Sequence, residues 1–116
     1  MTVHDQIETI ESGYEYLLAY AAQGKDTDET GGNSASEVRT TLDGMAKAAA
    51  SIADALQGDS STFGWVVLDD AKKARAAISL VLEQKGISSE LVDNLNASIH
   101  LRALLTDLFL LSEVQS

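Results

Sequence analysis

The chain has 116 residues, enough for one domain with its own core, and it contains no cysteine, which excludes disulfides, thiolate catalysis and cysteine-ligated metal sites. Its 18 acidic and 8 basic residues give a formal charge of -10. Because nucleic acids and anionic membranes attract basic surfaces, we expect neither as a partner. The acidity is compatible with solubility, a basic partner, a high-salt environment or mimicry of nucleic acid.

Glycines and clusters of small polar residues divide the chain into four long segments, and no proline occurs. This punctuation predicts four helices in a single domain that spans residues 1–116. A glycine follows each of the first three segments, where a left-handed residue commonly ends a helix. The predicted helices are Val3 to Gln23, Ala35 to Gln57, Ser61 to Lys85, and a fourth that follows Ser88 and ends near Glu113.

Short polar side chains stand where these helices are expected to begin. Thr2 precedes the first helix, Ser34 the second, and Asp59 or Ser60 the third. Ser34 and Glu37 also have the spacing of a capping box, in which each side chain bonds the other residue's amide. We therefore expect Ser34 to cap the second helix.

Apolar residues recur at alternating spacings of four and three, the heptad pattern of left-handed helical bundles. Short connections on either side of the third helix require its neighbours to run antiparallel to it. The sequence therefore predicts an all-α, up-down-up-down antiparallel four-helix bundle. The expected core positions are Ile7, Ile10, Tyr14, Leu17, Leu18 and Ala21 in the first helix, Val38, Leu42, Met45, Ala49, Ile52 and Leu56 in the second, and Val67, Ala71, Ala74, Ile78 and Val81 in the third.

The segment from Leu101 to Leu111 is too apolar for one face of a helix. On a helical wheel the fourth helix has two apolar faces that are nearly opposite. One consists of Leu91, Val92, Leu95, Ile99, Ala103 and Leu110, and the other of Leu101, Leu104, Leu105, Leu108 and Leu111. Only one face can pack on the chain's own core, so we predict a homodimer through this helix. The alternative is a monomer that encloses the helix on both sides. The predicted interface residues are Leu101, Leu104, Leu105, Leu108 and Leu111.

Several aromatic and apolar residues project away from the expected core stripes. Tyr16 and Tyr20 do so in the first helix, and Trp65, Ala76 and Leu80 do so in the third. Single exposed apolar residues are common, but aromatic ones are enriched at the centres of interfaces. These positions are therefore expected to be exposed, with a possible role in binding.

The segment from Asp26 to Glu37 has the ligand spacing of an EF-hand calcium loop between two helices. Thr30 and Asn33 depart from the usual residues, and there is no second hand to pair with. A solvated acidic loop that caps the second helix explains the same residues and is the favoured interpretation. The ligands of a calcium site would be Asp26, Asp28, Thr30, the Gly32 carbonyl, Ser34 through water, and Glu37.

Catalytic and cofactor chemistry has little support in the sequence. Glu8, Glu11 and Glu15 share one flank of the first helix, but a di-iron bundle needs Glu-x-x-His on two helices, and neither His4 nor His100 has a glutamate three residues earlier. A solvated acidic flank is the simpler explanation. We expect no catalytic residue, no metal site and no cofactor.

These observations favour a non-enzymatic acidic protein that acts through protein–protein interaction and self-association. The segment from Met1 to Glu11 has neither the basic nor the apolar region of a signal peptide, so the cytoplasm is the expected location. The alternative function is binding of an ion at the acidic loop, or of an apolar ligand near Tyr14, Met45 and Trp65. An enzyme that uses carboxylates of the bundle is the least supported possibility.

Overall fold

The structure, a computed structural model, describes residues 3–28, 36–59 and 61–115, and all the regular elements among them are α-helices. The predicted all-helical fold is therefore confirmed. In the described part of the chain, no helix is both long enough and apolar enough to span a membrane. The elements are α1 (Val3–Ala21), α2 (Glu37–Leu56), α3 (Thr62–Leu82), α4 (Ser89–Ala97) and α5 (His100–Gln115).

Serine hydroxyls cap the beginnings of α2, α3 and α4. Ser36, Ser61 and Ser88 each accept a hydrogen bond from the amide three residues further on. The predicted start of the fourth helix after Ser88 is confirmed. The caps predicted for α2 and α3 are wrong, because each of these helices begins directly after a later serine of the same polar cluster. Ser34 itself lies outside the described residues.

The predicted continuous fourth helix is wrong, because the chain breaks between α4 and α5. The amide and hydroxyl of Ser98 both donate to the carbonyl of Leu95, which closes the end of α4. Ile99 then has a φ of 63°, a left-handed conformation that β-branched residues rarely adopt. The carbonyl of Ile99 accepts from the amide of Ala103 and so starts α5. The two helices are consequently turned relative to one another.

The heptad positions of α2 and α3 form a large part of the core. All five predicted positions of α3 are buried, as are those of α2 except Leu56, which is partly buried. In α1, Ile10 and Leu17 are buried, whereas Leu18 is half-exposed, so its assignment to the core is wrong. Leu18 lies about 100° around the helix from Leu17 and projects away from the core.

Helices α1 and α2 run antiparallel and approach closely. The Gln6 side chain donates to the hydroxyl of Ser51 at 2.7 Å, and Gly13 lies against Met45. A Cβ added at residue 13 would lie within 2.6 Å of Met45 Cγ, and Met45 is fully buried. Gly44 is also inside a helix, but a Cβ there would meet no atom within 4 Å. Close packing therefore explains the first glycine but not the second.

At one end of the molecule, the guanidinium of Arg39 binds several segments of the chain. Its Nε donates to Asp28 Oδ2 at 2.7 Å, and its Nη atoms donate to the carbonyls of Leu82, Gln84 and Lys85. These carbonyls belong to the last residue of α3 and to the segment directly after it, where the helix itself supplies no amide donors. Arg39 thereby joins the start of α2 to the end of α3 and to the segment that follows α1.

Asp28 and Ser89 extend this network to the start of α4. Asp28 Oδ1 accepts from the amide of Ile87 at 2.8 Å, and the hydroxyl of Tyr20 donates to the Ile87 carbonyl at 2.6 Å. The hydroxyl of Ser89 donates to the carbonyl of Tyr20. We refer to Tyr20, Asp28, Arg39, Ile87 and Ser89 as the Arg39 cluster. The exposure predicted for Tyr20 is wrong because its hydroxyl is bound inside this cluster.

We expect Gly44→Ala to stabilise the protein and Gly13→Ala to destabilise it. Both substitutions gain about 0.5–1 kcal/mol of helix propensity. At residue 13 the added methyl group overpacks the buried Met45, so a net loss of about 1–3 kcal/mol is expected. Urea unfolding of the two variants measures the difference. Equal effects would show that Met45 moves aside without cost.

We expect Arg39→Lys to lower the free energy of unfolding by about 2 kcal/mol, because lysine keeps the charge but cannot make four directed hydrogen bonds. The matched control is Arg75→Lys on the exposed surface of α3, where a change within about 0.5 kcal/mol is expected. Urea unfolding at pH 7 provides both values. An effect of Arg39→Lys no larger than that of the control would contradict a stabilising role for the cluster.

Candidate functional site

The structure places the predicted interface leucines inside a single chain. Leu101, Leu104, Leu105 and Leu108 are buried in the core, and Leu111 is partly buried against it. Val92 and Leu95 of α4 are buried as well. The turn at Ile99 rotates α5 so that both apolar faces pack inward. These five leucines therefore do not form an exposed interface. Self-association stays a prediction, and it requires other residues.

A different set of apolar side chains is exposed near the end of α5. Phe109, Leu110 and Val114 are 43%, 53% and 76% exposed. They lie within six consecutive positions of one helix, and we refer to them as the C-terminal apolar surface. Leu110 and Val114 are one turn apart and therefore share a side of the helix. The sequence signal for them is the surplus of apolar residues in α5 once its core positions are filled.

Of the other residues expected at the surface, some are exposed in the structure and others are wholly or partly buried. Trp65 and Leu80 of α3 are both 63% exposed, so their predicted exposure is confirmed. Tyr16 is half-buried, and its ring stacks on that of Tyr20 with centroids 6.2 Å apart. Burial, followed by the nearby charge of Glu37, raises the pKa of Tyr16. Tyr16 therefore packs on the Arg39 cluster through its contact with Tyr20.

Asp70 of α3 and Asp107 of α5 form a carboxyl pair between the two helices. Burial, then a hydrogen bond and charge repulsion from Asp70, raise the pKa of Asp107 to about 7. Asp107 Oδ2 is inaccessible to solvent and has no donor among the described residues. A hydrogen bond between two carboxyl groups requires a shared proton. The pair can therefore hold or release one proton near neutral pH. It was not predicted, because its members lie far apart in the sequence.

The structure describes only part of the acidic loop. In that part, Asp28 makes contacts that stabilise the fold. Of the six predicted calcium ligands, Thr30, Gly32 and Ser34 lie outside the described residues. Both carboxylate oxygens of Asp28 are already bound by the cluster, and its side chain is only 3% exposed. Burial alone would raise the pKa of Asp28, but the hydrogen bonds from Arg39, Ile87 and Ser36 outweigh it and lower that pKa.

Other polar groups on α1 show no arrangement for catalysis. The carboxylate of Glu8 lies 3.9 Å from His4 in an exposed pair. Thr9 and Ser12, which line shallow grooves along α1, donate their hydroxyls to carbonyls of their own helix. Over the described ranges, no group of three or more histidine, cysteine or acidic residues is placed to hold a metal ion.

Comparisons of the chain with protein-family models, with curated proteins and with solved structures find no match. Functional inference therefore depends on the surface of this chain and its buried polar groups.

We expect millimolar calcium to leave the melting temperature unchanged, because a calcium ion at the loop would have to displace Arg39 from Asp28. Thermal melts with calcium and with a chelator measure this. A saturable rise in melting temperature that disappears in Asp26→Asn, an exposed position outside the cluster, would instead support a calcium site.

Proposed function

We propose that this protein acts as a non-enzymatic acidic helical protein that binds a protein partner, its own copy included, through the C-terminal apolar surface. The exposure of Phe109, Leu110 and Val114 is the observation that carries the proposal. Burying a leucine or phenylalanine side chain stabilises a complex by roughly 1.5–3 kcal/mol before association costs. Single exposed apolar residues are ordinary, but a cluster of large ones is typical of binding surfaces.

We also propose that α4 and α5 together take the place of the fourth helix in an up-down-up-down bundle. Helix α2 contacts α1 and α3, and between the described residues it has no contact with α4 or α5. Helices α1 and α3 both contact α4 and α5. This pattern fits a four-membered ring in which α2 lies diagonally opposite the broken helix. It would bring the end of α5 to the same end of the molecule as Trp65 at the start of α3.

The net charge sets the conditions for association of two copies. Each chain carries a formal charge of -10, so two copies repel one another at low ionic strength. Salt screens this repulsion, with a Debye length of about 10 Å at 0.1 M. Burial of apolar side chains at the interface has to outweigh the remaining repulsion. Self-association is therefore expected to strengthen as salt is added.

We expect the double variant Leu110→Gln, Val114→Gln to abolish self-association without changing stability, since both side chains are exposed. The wild type should approach twice its 12.3 kDa mass as concentration and salt rise, while the variant keeps the monomer mass. Static light scattering over a concentration series measures both.

The matched control is Leu80→Gln, which removes a more exposed leucine from α3, outside the C-terminal apolar surface. It should associate like the wild type. A wild-type mass of 12.3 kDa at all concentrations and salt levels would contradict self-association. Loss of association in the control to the same degree as in the double variant would contradict the assignment to α5.

A further inference from the structure

The junction before α5 is energetically unfavourable in two respects. Ile99 has a left-handed φ of 63° although it is β-branched, and its side chain is 62% exposed, so packing of this side chain itself does little to offset the strain. The amide nitrogen and oxygen of the Asn96 side chain are both buried, and among the described residues neither has a hydrogen-bond partner. A change of backbone angle at Ile99 would relieve the first of these two features.

The contact of α5 with α3 includes a pair of groups that attract only when they share a proton. Asp107 Oδ2 is buried and has no hydrogen-bond partner among the described residues, and the carboxyl of Asp70 acts on the Asp107 carboxyl through a side-chain hydrogen bond and charge repulsion. With the proton present, the pair bridges α3 and α5. Without it, two negative charges face each other in a partly dehydrated place, and the contact is repulsive.

Among the described residues, the cation that acts on this pair is Lys73 of α3. Its ammonium lies 3.0 Å from the carboxylate of Asp69, its ion-pair partner, and the charge of Asp70 also attracts it, but more weakly. Helices α1 and α4, which also pack against α5, contain no lysine or arginine within their described bounds. Asp70 is the charged group that shifts the titration of Asp107. The remaining charged or titratable groups of the elements packed here are His4, Asp5, Glu8, Glu11, Tyr14, Glu15, Tyr16 and Tyr20 on α1, Glu90 and Asp93 on α4, Lys72 and Arg75 on α3, and His100, Arg102 and Glu113 on α5 itself.

We propose that α5 is a hinged arm, which is held against α3 by the proton shared between Asp70 and Asp107 and released about Ile99 when that proton leaves. Release uncovers the inner leucines of α5, Leu101, Leu104, Leu105 and Leu108, and the core positions of α1 and α3 that they cover. This device is independent of the outer apolar surface proposed above, because it concerns the opposite side of the helix.

The direction of the pH dependence follows from proton binding. The docked arm keeps the proton up to about pH 7, whereas Asp107 in a released arm titrates near its ordinary value of 3.8. Docked α5 therefore binds more protons between these values, and raising the pH through this window favours release. Above about pH 8 both states are ionised and the effect levels off.

Hydrogen exchange followed by mass spectrometry at pH 6 and pH 8.5 tests the arm, after correction for the intrinsic base catalysis of exchange. In the wild type, protection of α5 amides should fall about tenfold between the two pH values, from the difference between the docked and released titrations. Protection of α2 amides should not change. In Asp107→Asn the fall in α5 should disappear, since an amide can donate to Asp70 at any pH.

The matched control is Asp93→Asn, an exposed carboxylate on α4, which should keep the wild-type pH dependence. Asp70→Asn provides a second variant of the pair and should behave like Asp107→Asn if the latter fails to fold. Unchanged α5 protection in the wild type would overturn the proposal. An equal fall in all helices, or a fall that persists in the folded variants of the pair, would overturn it as well.

Discussion

The ion pair between Arg39 and Asp28 is the contact on which the arrangement of the helices depends. The side chain of Asp28 is almost fully buried, so its charge is tolerable only because Arg39 and two hydrogen-bond donors surround it. Arg39 in turn binds carbonyls at the end of α3, where a positive charge also complements the helix dipole. One side chain thereby ties the ends of three helices and their connections together.

The break between α4 and α5 is the second feature that shapes the molecule. From Ser89, which the cluster holds, α4 runs only nine residues before the chain turns at Ile99. That turn lets α5 bury leucines that a continuous helix would expose, and this burial offsets the unfavourable backbone conformation. It also leaves Phe109, Leu110 and Val114 on the outside. The same break thus accounts for the completed core and for the exposed apolar surface.

The parts of the fold that depend on local patterns could be predicted from the sequence. Gly24 and Gly58 have φ values of 67° and 86°, so they end their helices for the reason the sequence suggests. The heptad pattern of α3 also corresponds to its buried face. The break at Ser98 and Ile99 could not be predicted, because neither glycine nor proline marks it. A helical wheel drawn through it therefore assigned Leu104 and Leu108 to the wrong side.

The pairings that join distant parts of the chain were beyond prediction for a different reason. Arg39 of α2 binds Asp28 in the connection between α1 and α2, and Asp107 of α5 pairs with Asp70 of α3. Neither pair has a spacing that marks it in a single sequence. The acidic loop shows the converse, since its calcium-like spacing includes Asp28, whose oxygens the fold uses for a structural purpose. A sequence motif of oxygen ligands does not indicate whether those oxygens are available.

The central claim is that two copies of the chain associate through the outer surface of α5. Because the chain has no cysteine, a single Leu110→Cys substitution tests it directly by mild oxidation. In a two-fold dimer the same surface of each copy faces the other. We therefore predict rapid formation of a disulfide-linked dimer by Leu110→Cys and little by Leu80→Cys, which is more exposed but lies on α3. Equal rates of cross-linking in the two variants, or none in Leu110→Cys, would contradict the claim.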